Sequence, residues 1–387
     1  MMKTHTPLQR RLRKVDIILL FSLIGISIFC TIAIYSATIT RTGLQNTYIK
    51  EIIWQVLSYI VMIAVMLFNY RALKKTIPWA GYVLSLVLLL VVFAFPSVNG
   101  SHSWIIISGF QIQPSEFAKL FIIMVISSYM EKAKEKNESF GWKHFGFIML
   151  IVGVPFALIL KQPALGQALV LLGIVGSMMI LFLEKRQFIL FLVIGFILGS
   201  SLFLAKAVFP DQSIHFIDKL PIKSYQKGRL VTFISPEALQ KGAGYQVTQA
   251  KIAVGSGGLL GEGLLKGTQT QGNWIPEQWT DFIFSAIAEQ FGFIGSSILI
   301  FLFFLLLQRM ILVATHAADY FSSYFIAGVV GMFSFQIFEN IGMNLSIMPV
   351  AGITLPFVSY GGSSLLTNFV LVGIVLSMEI WRNPLTF

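Results

Sequence analysis

Residues 15–35 read VDIILLFSLIGISIFCTIAIY: twenty-one positions whose only ionisable groups are Asp16 at the start and the Cys30 thiol and Tyr35 phenol further on. A helix rises 1.5 Å per residue, so about 20 apolar residues cross the hydrocarbon core of a bilayer. The run follows a basic stretch (Arg10, Arg11, Arg13, Lys14) and so has the outline of a secretory signal, but it is too long for a signal core and further apolar runs follow it. Working outward, comparable runs lie near 51–68, 77–95, 115–130, 144–160, 166–183, 188–209, 281–307, 320–344 and 362–381, with the first taken as 15–36. The reading is an all-α polytopic membrane protein of about ten transmembrane helices, with one long extracellular loop, about 210–280, between spans 7 and 8, and a single membrane domain over 1–387. Composition agrees: 56% of the residues are hydrophobic and 12% charged, with mean hydropathy +0.79, against about 45–50% apolar residues in ordinary soluble domains.

Lysine and arginine gather on alternate connections. Lys3 to Lys14, Arg71, Lys74, Lys75, Lys132, Lys134, Lys136, Lys143, Lys185, Arg186, Arg309 and Arg382 fall on one side, whereas the opposite short loops carry little beyond Arg41, Lys50 and Lys161. The positive-inside rule therefore places both termini in the cytoplasm. The net charge of +11 sits mainly at those edges, where anionic headgroups attract it, so nucleic-acid binding is excluded and membrane lipids are the expected surroundings. Cys30 stands alone, ruling out an intrachain disulfide, and the five histidines show no metal-ligand spacing. The long loop carries Lys219, Lys223, Lys227, Arg229, Lys241, Lys251 and Lys266, a cationic surface suited to diphosphates or simply to lipid headgroups.

Ionisable residues inside spans cost about 2.5–3.5 kcal/mol at a helix centre, so each demands a partner or a role. Gln113-Pro114-Ser115-Glu116-Phe117-Ala118-Lys119 reads as a capped helix start with Glu116 and Lys119 on one face. Pro276-Glu277-Gln278-Trp279-Thr280-Asp281 brings the long loop back to the membrane, and Asp281 is either a helix N-cap or a functional acid. Glu289, about 12 Å further along, reads as a packing acid bonded to a neighbouring helix, and Glu339-Asn340 as an interhelical clamp. The glycines of Gly255 to Gly263 satisfy neither nucleotide-binding pattern; they make either an anion nest or a tight loop on the membrane face. Leu355 to Ser364 interrupts the apolar pattern before the last span, which implies a protein-lined cavity.

Several ordered motifs resemble the SEDS family of shape, elongation, division and sporulation proteins, the polytopic polymerases RodA, FtsW and SpoVE: Asn99-Gly100 with Trp104; Gln113-Pro114-Ser115-Glu116 with Ala118-Lys119; Gln162-Pro163 with Leu165-Gly166; Gly257-Gly258 with Gly261 and Gly263; Pro276-Glu277 with Thr280 to Phe284; and Leu355-Pro356-Phe357 with Ser359 to Ser363. The resemblance, most like RodA, implies an inverting peptidoglycan glycosyltransferase that uses lipid II at the outer face of the cytoplasmic membrane during elongation, with a class B penicillin-binding protein as partner. It implies no cofactor, a divalent cation entering only with the lipid diphosphate. It places Asp281 as the essential acid with Lys119 paired to it, and Glu116, Trp104, Gln113, Gln162, Glu277, Ser359, Tyr360, Gly361, Gly362 and Ser363 as substrate-binding or supporting residues. Ser103, Ala164 and Trp279 depart from the arginine, aspartate and histidine the pattern leads one to expect. A lipid II flippase or other transporter, a non-catalytic scaffold for a penicillin-binding protein, and a division or sporulation role are the competing readings. The short termini favour elongation.

Overall fold

The computed structural model describes residues 13–97, 100–107, 110–138, 141–183, 185–219, 224–235 and 242–382. Asn99, Lys3, Arg10, Arg11, Lys223 and Lys241, all invoked above, lie outside the described residues.

Ten helices stand where ten spans are expected: α1 (Ile17–Thr38), α2 (Thr47–Leu67), α3 (Ile77–Val91), α4 (Pro114–Glu135), α5 (Trp142–Lys161), α6 (Leu165–Ile180), α7 (Lys185–Val208) and, after the long connection, Ile283–Thr315, Tyr320–Asn344 and Gly362–Ile380. Eight of the ten are long and apolar enough to cross a membrane, α3 with its 3-10 extension to Ala94. The other two are α6, which is apolar but only 16 residues long, and α4, whose Glu116, Lys119, Glu131, Lys132, Lys134 and Glu135 dilute its hydropathy. The long connection is not structureless: it folds into α8 (Pro210–Lys219), α9 (Ser224–Ile234), α10 (Ala243–Ser256) and the single turn α11 (Thr268–Gln271). The last three spans are accordingly α12 (Ile283–Thr315), α13 (Tyr320–Asn344) and α14 (Gly362–Ile380). A two-stranded hairpin, β1 (Ile105–Ile107) with β2 (Phe110–Ile112), lies between α3 and α4. Burial is uneven: α14, the most enclosed of the eight, packs on α2, while among the described residues none in the spanning stretch of α7 is buried.

Charged groups fasten the basic end. Asp16 caps α1 by accepting from the Leu19 amide at 3.0 Å, and the same carboxylate takes Arg309 Nε of α12 at 2.5 Å; the Asp16 amide donates to Glu379 of α14 at 3.2 Å. Arg309 is therefore part of the helix rather than of a connection, and α12 continues to Thr315, eight residues beyond the expected end. Lys74 reaches both Glu131 of α4 and Asp319 at 2.8 Å. Burial alone pushes the Asp319 carboxyl up, but bonds from Lys74, the Ser322 amide, Tyr70 and the Ser322 hydroxyl hold it below the usual carboxylate range.

α12 is broken at Gly292, whose φ of 63° and ψ of −161° interrupt the helical ladder about 13 Å along from Ile283. Backbone freed at that depth has to find partners, and the glycine-rich segment supplies them. The Glu262 and Gly263 amides donate to the Glu289 and Gln290 carbonyls at 2.9 and 3.1 Å, while Phe293 and Ile294 donate to the Gly258 and Leu259 carbonyls at 2.9 and 3.1 Å. A Cβ on Gly261 would stand 2.1 Å from the Gln290 oxygen, and one on Gly257 2.0 Å from the Ala288 oxygen. Close backbone approach, rather than an anion nest, accounts for these glycines. Glu289, at the same break, bonds not to a neighbouring span but to α11: it accepts the Gln269 and Thr270 amides at 2.6 and 2.9 Å, capping that turn.

Candidate active site

The turn Pro276–Phe282 is held through its carbonyls. α12 begins at Ile283 with Phe282 as N-cap, and no side chain caps it, so Asp281 is not the cap that its position before a helix allows. Its carbonyl instead accepts Asn340 Nδ2 at 2.8 Å and Asn344 Nδ2 at 3.3 Å, both from α13. The Ser359 hydroxyl donates to the Thr280 carbonyl at 2.6 Å, and the Tyr360 amide to the Trp279 carbonyl at 3.0 Å. Glu277 accepts the Thr280 hydroxyl at 3.0 Å. Three successive carbonyls are thus taken by α13 and by the broken segment ahead of α14, which fixes the backbone from which the Asp281 carboxyl projects.

That carboxyl shares a wall with a cation from far along the chain. A Cβ placed on Gly352, which has φ +67°, would lie 3.0 and 3.2 Å from Arg229 Nη2 and Nη1 and 3.4 Å from Asp281 Oδ2. Asp281 is half-buried, and desolvation of its carboxyl pushes its pKa up to about 6; Glu277 adds to the rise and the Arg229 charge opposes it. Arg41, in the connection between α1 and α2, donates Nη1 to the Pro276 carbonyl at 3.0 Å and lies 4.8 Å over the Trp279 ring, so the tryptophan standing where a histidine is expected serves as a cation–π platform. Burial lowers the Arg41 pKa and the Glu277 charge counters it.

The other residues singled out from the sequence divide into two groups. Ser359, Tyr360 and Glu277 brace the Asp281 turn directly. Gly361 donates its amide to Glu51 of α2, Gly362 packs beneath the Trp54 indole, and Ser363 accepts the Gln113 amide at 3.4 Å, so the starts of α4 and α14 are tied together beside that turn. Gln113 is the N-cap residue of α4 without a side-chain cap bond, and Ser115 does not cap it either; Pro114 at the first position and Glu116 in the first turn are as expected. Lys119 and Glu116 are fully buried and face each other at 2.8 Å. Lys119 is thus engaged by Glu116 rather than paired to Asp281, whose charged neighbours are Arg229 and Glu277. Gln162 is a scaffold residue: Nε2 donates to the Leu89 carbonyl at 2.9 Å, and its own carbonyl accepts Ser101, which also bonds Ser103. Trp104 stands half-buried beside β1, and among the described residues no hydrogen bond or ring contact joins it to the Asp281 turn. Of the expected clamp, Asn340 performs the clamping, bonding the Ile353 carbonyl at 2.7 Å as well; Glu339 is fully buried, and neither of its oxygens has a hydrogen-bond partner among the described residues.

In the sequence Arg229 is one loop charge among seven, and nothing local marks Gly352. Glu51 carries a legible signal, a charge at the start of an apolar run, as Asp281 does. Among the described residues no three His, Cys, Asp or Glu side chains gather as a metal site.

Comparison with known proteins bears on the same region. The family profile of FtsW, RodA and SpoVE, described as "Cell cycle protein", matches residues 13–383. Peptidoglycan glycosyltransferase RodA of Treponema pallidum is 30% identical over 94% of this chain and 97% of its own length. Stage V sporulation protein E of Bacillus subtilis is 35% identical over 75% of this chain and 76% of its own. Among solved structures, a chain from work described as "Structural coordination of polymerization and crosslinking by a peptidoglycan synthase complex" is 27% identical with a TM-score of 0.74, covering 95% of this chain and 98% of its own. A mutant of the rod shape determining protein RodA of Thermus thermophilus is 25% identical with a TM-score of 0.65, over 96% and 99%.

Proposed function

The chain belongs to the FtsW, RodA and SpoVE family of cell cycle proteins, and on that premise we propose that it polymerises peptidoglycan glycan strands from lipid II with Asp281 as the base. It is a multi-pass membrane enzyme of the peptidoglycan glycosyltransferase class, as its relative RodA of Treponema pallidum is named. The observation that carries the assignment is a carboxyl on a backbone pinned at three carbonyls, with a pKa of about 6 and an arginine alongside.

The reaction that the family resemblance implies gives each of those groups a role. The 4-hydroxyl of the acceptor sugar attacks the anomeric carbon of the donor; Asp281 takes the hydroxyl proton as the new C–O bond forms. The bond from the anomeric carbon to the diphosphate breaks, its electron pair leaves with the diphosphate, and the configuration inverts. A base whose pKa lies just below the working pH is ionised and still basic enough to accept a proton. Two lipid-anchored sugars confined to the membrane plane meet with much of their orientational cost already met. Lys119, held by Glu116, serves in this reading as a buried anchor of α4 rather than as a phosphate ligand, and a divalent cation enters only as a companion of the substrate diphosphate. The end bearing Asp281 faces outward from the cytoplasmic membrane, and a class B penicillin-binding protein is the proposed partner; the description of a structural neighbour as coordinating polymerization and crosslinking supports it. Wall elongation is the proposed setting, with division and sporulation relatives matching at comparable identity.

The pH dependence tests the base. Asp281 acts as the carboxylate, so the initial polymerisation rate at low substrate is expected to rise with pH through about 6 and then level off. A rate that is flat across that interval, or that falls as pH rises through it, is the contrary outcome.

A further inference from the structure

We propose that Arg229, Lys206 and Lys251 form a binding site for a lipid-linked diphosphate on the α9 side of Asp281. The inference rests on the reading above that the donor carries a diphosphate as its leaving group, and it assigns that group a place.

Three separate elements bring these cations together. Arg229 and Phe233 are four residues apart on α9 and so share a face. Arg229 reaches down to Gly352 and Asp281. Lys206, at the far end of α7, lies with Nζ 4.5 Å over the Phe233 ring and donates to the Ser346 carbonyl at 2.6 Å. Ser346 in turn follows Asn344, which holds the Asp281 carbonyl. Lys251 projects from α10 and is exposed, and its charge bears on Lys206. Among the described residues neither Lys206 nor Lys251 has a carboxylate within 4 Å.

Like charges collected on a folded loop repel one another, and a bound anion removes that penalty. The donor geometry suits a diphosphate better than a carboxylate or a single phosphate. An arginine offers a planar fork to one phosphoryl group, and lysine ammoniums serve as point charges for the second. Inversion sets the base and the leaving group on opposite faces of the anomeric carbon, so the diphosphate stands on the side of Arg229 that faces away from the Asp281 carboxyl, towards the two lysines.

The test uses the full chain in detergent and measures binding without turnover. The probes are a short-chain prenyl diphosphate, the matching prenyl monophosphate and inorganic pyrophosphate, titrated calorimetrically. Arg229→Ala and Lys206→Met are each expected to weaken the prenyl diphosphate at least about tenfold, since each removes a charge-assisted contact. Arg229→Lys should recover part of the loss, and pyrophosphate should bind more weakly than the lipid. Should Arg229→Ala melt early, Lys206→Met and Lys251→Gln carry the test. Full affinity in well-folded Arg229→Ala and Lys206→Met would overturn the site, as would equal binding of mono- and diphosphate. Asp281→Asn should bind the probe at least as tightly as the wild type, so a failure of Asp281 as base and a failure of the diphosphate site register in different measurements.

Discussion

Asp281→Asn is expected to lose polymerisation by about a hundredfold to ten-thousandfold while melting at a higher temperature than the wild type near neutral pH. The first half follows from removing the general base, whose contribution is of order 10²–10⁴. The second follows from linkage. A carboxyl raised from 3.8 to about 6 in the folded chain is ionised more easily when unfolded. Its protonated form favours the fold; that contribution is complete below about pH 4 and is lost as pH rises through about 6. Above that, the ionised wild-type residue carries a cost on the order of 1–3 kcal/mol, which the neutral amide avoids. The stability gain should therefore shrink as pH is lowered towards 4. Thermal melts across that range, set beside ladder assays, check both halves; an inactive variant that is destabilised at neutral pH would point to a structural role for the carboxylate.

Gly261→Ala is expected to be the most damaging single methyl in the chain's long loop. Its Cβ would lie 2.1 Å from the Gln290 oxygen and 2.4 Å from the Gln290 carbonyl carbon, both backbone atoms, at a φ of +82°. Overpacking of about 1–3 kcal/mol adds to a left-handed penalty of about 1–2 kcal/mol. Because the displaced strand supplies the partners of the α12 break, the Asp281 turn nine residues upstream of Gln290 should move with it. Gly258→Ala is the internal control: its φ is +51°, but it has open space around it, so it should cost only about 1 kcal/mol. Melting both variants side by side checks the claim, and equal losses would remove the close-approach explanation.

The ten helices were legible, eight of them long and apolar enough to cross a membrane, because apolar length is a local property, and they begin and end within a few residues of the expected runs. The exception is instructive. Arg309 looked like the end of a span, yet α12 passes through it because Asp16, nearly 300 residues away in sequence, takes the charge. The break at Gly292 was not legible at all, since its hydrogen-bond partners come from Gly258 to Gly263 across the loop. The same limit governed the site. Asp281 stood out because a lone acid opens an apolar run within a recognisable motif, and its neighbours Ser359 and Tyr360 lay in the broken segment already singled out. Its charge partner was another matter: Arg229 becomes special only when α9 folds back over Gly352, and Lys119 ceases to be a candidate partner once Glu116, one turn away, is seen to hold it. Glu289 shows the pattern in small, with its burial evident from position and its partner, the α11 turn, not.

Purified wild-type protein, reconstituted with a cognate penicillin-binding protein and fluorescent lipid II, is expected to yield glycan ladders that vanish in Asp281→Asn. The absence of any ladder from the wild type, together with transfer of lipid II across the vesicle bilayer, would contradict the account and leave a transporter in its place.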